Sequence, residues 1–147
     1  MEIVTLRYKI MNQALSTLNE GLEELEALKA NQSKAHRLMR DGVIQRFEYC
    51  IDTFWKFLKV YLERVQKVHI EQPSPRIILR ISLKMALISD KECDALVDCV
   101  ADRNLTSHTY NEEIAEKIQG HVFRYYITMK SIMDRFSNQI LIELVDQ

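Results

Sequence analysis

The sequence predicts an all-α fold: an up-and-down bundle of four main helices with an additional short helix. Three observations carry this. Apolar residues recur in long seven-residue stripes, the mark of helices that bury one face. Only 3 Gly and 2 Pro occur among 147 residues, which leaves little turn chemistry for hairpins. Polar clusters punctuate the stripes at a few places only, so the helices are long and their connections short. The whole chain, 1–147, reads as one helical domain.

The first helix is expected from residue 3 to about 30. Val4, Met11, Leu18 and Leu25 repeat every seven residues, and Tyr8, Leu15 and Leu22 fill the alternate seam. Glu20, Glu23, Glu24 and Glu26 form a solvated acidic face. Residues 31–41 read as a connection. The second helix is expected over 42–69, with Ile44, Ile51, Leu58 and Val65 on one seam and Phe47, Phe54, Tyr61 and Val68 on the other. Trp55 widens its buried face. Glu71-Gln72-Pro73-Ser74-Pro75 is the clearest break, with Ser74 suited to an N-cap and Pro75 to the first position of a helix. The third, short helix follows to about Leu87. Arg76, Arg80 and Lys84 recur every four residues on it and form a cationic ridge, with Ile78, Ile81 and Met85 opposite. Asp90 is placed as the cap of a fourth helix over 91–104, with Cys93, Leu96, Val97 and Val100 inward. Asn111 caps a last helix that starts near 112 and reaches about 145. Its core stripe is Ile118, Val122, Tyr125, Met129, Ile132, Phe136 and Ile140, and Gly120 is its weak point.

Composition closes off several functions. The net charge is -1, so no general basic coat for nucleic acid exists and any such binding is local. No run of about 20 apolar residues is present, so no membrane helix is expected. The three cysteines, Cys50, Cys93 and Cys99, fall in helices, and no signal pattern is seen; reduced thiols in the cytoplasm are expected, and no zinc site. Glycines at 21, 42 and 120 make no phosphate-cradling loop. The positions three before His36, His69, His108 and His121 hold no Glu, which excludes a di-iron bundle.

One stretch remains rich in chemistry: Arg103-Asn104-Leu105-Thr106-Ser107-His108-Thr109-Tyr110. In one unbroken helix Arg103 and His108 would point roughly 140° apart. A break at Leu105-Thr106-Ser107, where hydroxyls compete for the backbone, lets them share a site. Histidine can give or take a proton near neutral pH, and arginine grips phosphate through two donors. Asn104 and Ser107 are candidates to orient either. Asp102 reads as a helix-end capping residue, with pairing to Arg103 as the alternative. On its own, Arg-x4-His is an ordinary polar helix connection.

The full string, however, resembles the Arg-x4-His-x-Tyr signature of the HEPN family, in the branch encoded beside a minimal nucleotidyltransferase. Gln45-Arg46-Phe47-Glu48-Tyr49, Trp55-Lys56-x-Leu58-Lys59 and Ser74-Pro75-Arg76 resemble further segments of that branch, with Asp52 where a Glu is expected. The resemblance implies a helical bundle and a homodimer whose two-fold cleft doubles Arg103 and His108. It implies metal-independent RNA cleavage; the ridge of Arg76, Arg80 and Lys84 reads either as a solvated basic face or as a phosphate-binding rim near the signature. It also implies silencing by the nucleotidyltransferase, which would use ATP and Mg²⁺ to transfer AMP to Tyr110; the chain itself needs no cofactor. The alternative is a non-catalytic subunit that binds a nucleotide or presents a substrate to that partner. The transferase's own paired carboxylates are absent here and belong to another chain.

Overall fold

The computed structural model describes residues 2–28 and 33–145, with side-chain surroundings up to residue 140. Among the described residues there are five α-helices and no strand: α1 (Glu2–Leu28), α2 (Lys34–Arg64), α3 (Pro75–Lys84), α4 (Asp90–Leu105) and α5 (Glu112–Val145), with a single 3₁₀ turn, Thr106–His108, between α4 and α5. The all-α bundle is as expected.

Helices α2 and α5 form the centre. Each packs on α1 and on α4, while short α3 lies against α2 and α4. The stripes read from the sequence supply the core. Val4, Met11, Leu18 and Leu25 are buried, as are Phe47, Ile51, Phe54, Leu58 and Tyr61, and all seven residues of the α5 stripe. Phe57, Tyr61 and Phe136 interlock edge-on, with centroids 5.1 and 4.7 Å from Phe136. Gly21 lets α1 approach α2 closely: a Cβ there would stand 3.3 Å from Val43 Cγ2. α5 continues through Gly120 as helix.

Several boundaries differ from expectation. Helix α2 begins at Lys34, not 42. Ser33 caps it by accepting from the His36 amide at 3.0 Å, so residues 34–41 are helix rather than connection. It ends at Arg64 rather than 69; Val65 and Val68 still pack on the core from the turn beyond, where Lys67 takes a left-handed φ of 58°. Ser89, not Asp90, caps α4, in a capping box with Glu92. Ser74 and Pro75 open α3 as expected. Val97 of α4 is exposed rather than inward. At α3, Met85 is exposed and Leu79 and Ser82 join Ile78 inside, because this helix packs on both α2 and α4.

Candidate functional site

Arg103 sits in the last turn of α4, and its guanidinium is held from three sides. Nε and Nη2 donate to the two carboxylate oxygens of Asp52 at 3.2 and 3.1 Å, Nη1 donates to Thr106 Oγ1 at 3.0 Å, and Nη1 pairs with Glu48 Oε2 at 3.0 Å. Glu48 and Asp52 stand four apart on α2, which places both carboxylates on one helix face. The Asp52 hydrogen bonds, with the nearby charges of Asp52 and Glu48, hold Arg103 above its ordinary pKa. Three of its five N–H groups donate to Asp52 and Thr106, while Glu48 adds its charge at Nη1.

Past Arg103 the chain breaks where the sequence suggested. Thr106 Oγ1 turns back to the Arg103 carbonyl at 2.7 Å, and Thr109 Oγ1 to the Thr106 carbonyl at 3.1 Å, and the 3₁₀ turn Thr106–His108 replaces the α-helix. Asn111 then caps α5: its Oδ1 accepts from the amides of Glu113 and Ile114 at 2.9 and 3.2 Å. The side chains of Asn104, Ser107, His108 and Tyr110 are all exposed, Tyr110 at 84%. The His108 and Tyr110 rings meet edge to face, 6.1 Å apart. A cleft of about 360 Å³ beside Arg103 is lined from α2 by Asp52, Trp55 and Lys56, from α3 by Pro75, and from α4 and its end by Asn104 and Ser107. His108 and Tyr110 lie outside its lining.

Four placements correct or extend the sequence reading. Asp102 neither caps a helix end nor pairs with Arg103. It is buried, and its Oδ2 accepts from the Tyr125 hydroxyl at 2.5 Å and lies 2.8 Å from His121 Nδ1. Burial and this carboxylate push the Tyr125 phenol well up, so it stays protonated as the donor. Asp52, with its shorter side chain, nevertheless reaches Arg103 with both oxygens. Trp55 packs partly on the core and also walls the cleft. Arg40, unremarked in the sequence, is 1% exposed and bonds Glu112 at 2.6 Å and Glu116 at 2.9 Å, which fixes the start of α5 on α2. Arg76, Arg80 and Lys84 are exposed along α3, whose first residue, Pro75, borders the cleft. No cluster of three or more potential metal ligands occurs among the described residues.

A five-helix bundle with an Arg-x4-His-x-Tyr turn between its last two helices defines the class. Residues 6–138 match the family model described as nucleotidyltransferase substrate binding protein like, and the chain belongs to that family. It is similar to a solved protein of Thermus thermophilus, at 34% identity and TM-score 0.72, over 85% of this chain and 97% of that one. It shares its fold with a Haemophilus influenzae protein described as revealing the fold of a substrate binding domain of a nucleotidyltransferase, at 21% identity and TM-score 0.76, over 88% and 98% of the two chains. A chain from a toxin-antitoxin crystal structure with AMP-PNP also shares it, at 16% identity and TM-score 0.63, over 91% and 97%. No curated protein matches in sequence. Among the described residues, no helix is long and apolar enough to cross a membrane.

Proposed function

We propose that the chain is the toxin-like subunit of a nucleotidyltransferase pair, a homodimer that cleaves RNA without a metal and is silenced by AMP transfer to Tyr110. The observation that carries this is the signature turn. Arg103 is anchored at the end of α4, while His108 and Tyr110 project together from the next turn with their rings 6.1 Å apart. In the cleavage step a histidine takes the proton of a ribose 2′-hydroxyl. The 2′-oxygen bonds to phosphorus, and the bond from phosphorus to the 5′-oxygen breaks. A second protonated histidine supplies the 5′-oxygen's proton. Each chain brings one His108, so a two-fold pairing supplies both roles. Asn104 and Ser107, exposed beside the cleft, orient His108 or a phosphate oxygen. The ridge of Arg76, Arg80 and Lys84 attracts the strand's backbone. For silencing, the Tyr110 oxygen bonds to the α-phosphorus of ATP on the partner with Mg²⁺, pyrophosphate leaves and the phenol proton is lost; the AMP adds bulk and about one negative charge next to the turn.

A specific observation also favours the second reading, a non-catalytic subunit that binds a nucleotide or presents a substrate. Glu48 and Asp52 already offset the charge of Arg103, and Asp52 holds its bidentate Nε–Nη2 edge, the edge that would grip a phosphate. Cleavage of RNA in EDTA separates the two. The wild-type chain is expected to cut, His108→Ala to be inactive with unchanged melting, and Arg103→Ala to be inactive with a small fall in melting, since Glu48 and Asp52 lose their shared cation. Activity surviving in both variants removes the ribonuclease reading. With the partner, ATP and Mg²⁺, the intact mass should rise by AMP units on the wild type and not on Tyr110→Phe.

A further inference from the structure

The cleft beside Arg103 has features that RNA cleavage by Arg103 and His108 does not use. Its lining sets two rings, the Trp55 indole from α2 and Pro75 from α3, and the buried Ile51 and Val100 beside polar side chains. Asp52, Trp55 and Lys56 fall at i, i+3 and i+4 on α2, and Val100, Arg103 and Asn104 at i, i+3 and i+4 on α4, so each helix turns one stripe into it, and Ser107 joins them from the 3₁₀ turn. The side chains of Asn104 and Ser107 make no hydrogen bond to the described residues, although Asp52 and Arg103 beside them are paired; an amide brings both a donor and an acceptor. The Lys56 ammonium rests over the indole, 5.9 Å from its centroid, and has no carboxylate partner among the described residues. A volume of about 360 Å³ is at the small end for ligand clefts, roughly 300–1,000 Å³.

We infer that this cleft is a nucleobase subsite: Trp55 stacks an unpaired base against Pro75, Asn104 reads its edge, and Lys56 meets the phosphate attached to it. Stacking on an aromatic ring is open to every base, and an amide edge adds preference without requiring one. The subsite lies on the Arg103 side of the signature turn, with His108 outside it. A base held there leaves its neighbouring phosphodiester toward the turn. The subsite deepens the reading of the chain as a ribonuclease and rests on that reading only for the source of the base; a free nucleotide offers the same chemistry.

The chain contains a single Trp, so its fluorescence reports this cleft alone. Three probes are titrated against the full chain: AMP, a 2′-O-methylated single-stranded trinucleotide that lacks the attacking hydroxyl, and ribose 5-phosphate. AMP and the trinucleotide should quench Trp55, and ribose 5-phosphate should not. Tighter binding of the trinucleotide identifies a strand as the occupant, and equal binding of AMP identifies a free nucleotide; both uphold a base subsite. No quenching by either, or equal quenching by ribose 5-phosphate, overturns it. Lys56→Gln should weaken the titration. In the cleavage assay, Trp55→Leu should raise KM about ten-fold with little change in kcat, and Trp55→Phe, which keeps a smaller ring to stack on, should raise it less. A wild-type KM in Trp55→Leu, with the fold intact by melting, also overturns the proposal. His108→Ala should lose cleavage and keep the quenching. If the wild type cuts nothing while the quenching stands, the ribonuclease reading fails and the base subsite does not.

Discussion

Arg103 illustrates how far single residues could be read from the chain. Its place in the signature was legible because Arg103, His108 and Tyr110 are close in sequence. Its partners were less so: Glu48 and Asp52 lie about fifty positions earlier, and only the relative phase of two helices brings them together. The i, i+4 spacing of Glu48 and Asp52 was the available signal, since it puts two carboxylates on one face near a stripe that is otherwise core. Nothing in the pattern marked Asp102 as buried, because its acceptance of the Tyr125 hydroxyl depends on tertiary contact between α4 and α5. The thiols, by contrast, sit where their apolar surroundings suggested. Burial pushes Cys50 up to about 12 and raises Cys99 well above its ordinary value, while burial with Asp94 and Asp90 raises Cys93. Thiolate is the reactive form, so alkylation should be slow in the folded protein. With iodoacetamide at about pH 8, just below the ordinary thiol value, none of the three should be modified on a timescale at which all three react in guanidinium. Rapid native modification of Cys50 or Cys99, read by peptide mass, would contradict this.

At the scale of elements, hydropathy located the helices and misplaced their ends. Residues 34–41 look like a polar connection because Arg40 and its neighbours are charged. Arg40 is buried nonetheless, since Glu112, Glu116 and Asp41 surround it, and hydropathy does not register burial by pairing. This contact ties the first turns of α5, just after the signature, to α2. Arg40→Ala should therefore cost about 2 kcal/mol, below the usual range for a broken buried pair because the carboxylates left behind are largely exposed and rehydrate. The expected fall in Tm is about 5 °C. Arg40→Met keeps most of the packing and should cost less. The Arg40 hydrogen bond holds the Glu112 carboxyl below its ordinary value, against a smaller effect of desolvation. A lowered folded-state pKa gives stability that is present above the unfolded value and lost as pH falls through the folded one. The Tm gap between wild type and Arg40→Met should thus narrow below about pH 4; a gap that stays constant from neutral pH down through that range would refute the charge contribution. The end of α3 offers an independent check. Ala86 holds φ 58° while the Leu87 amide donates to Ser82 O at 2.9 Å and the Ala86 amide to Leu83 O at 3.0 Å, a Schellman closure normally made by glycine. Ala86→Gly should stabilise by about 1 kcal/mol, read by denaturant midpoint at constant m.

For the whole molecule, the question is what a single bundle leaves unfinished. The seven-residue stripes made the bundle legible, because the same periodicity that forms each helix also decides which faces meet at the centre. Stoichiometry leaves no such trace, since a surface that pairs with a copy of itself need not differ in composition from the rest. What favours pairing is chemistry. One chain presents one His108, outside the cleft that holds Arg103, and Arg103 is already engaged by Glu48 and Asp52. Under the proposed ribonuclease reading, cleavage by acid and base needs two proton-transferring groups at one phosphate, and a two-fold axis beside the turn would supply the second. The chain should then have twice its monomer mass by light scattering at micromolar concentration. Activity per chain should fall on dilution as pairs separate, since the folded monomer lacks one of the two groups. It should recover on reconcentration, which distinguishes dissociation from loss of protein. A monomeric mass together with full activity per chain at every dilution would show that one copy suffices, and the second proton-transferring group would have to be sought within the chain itself.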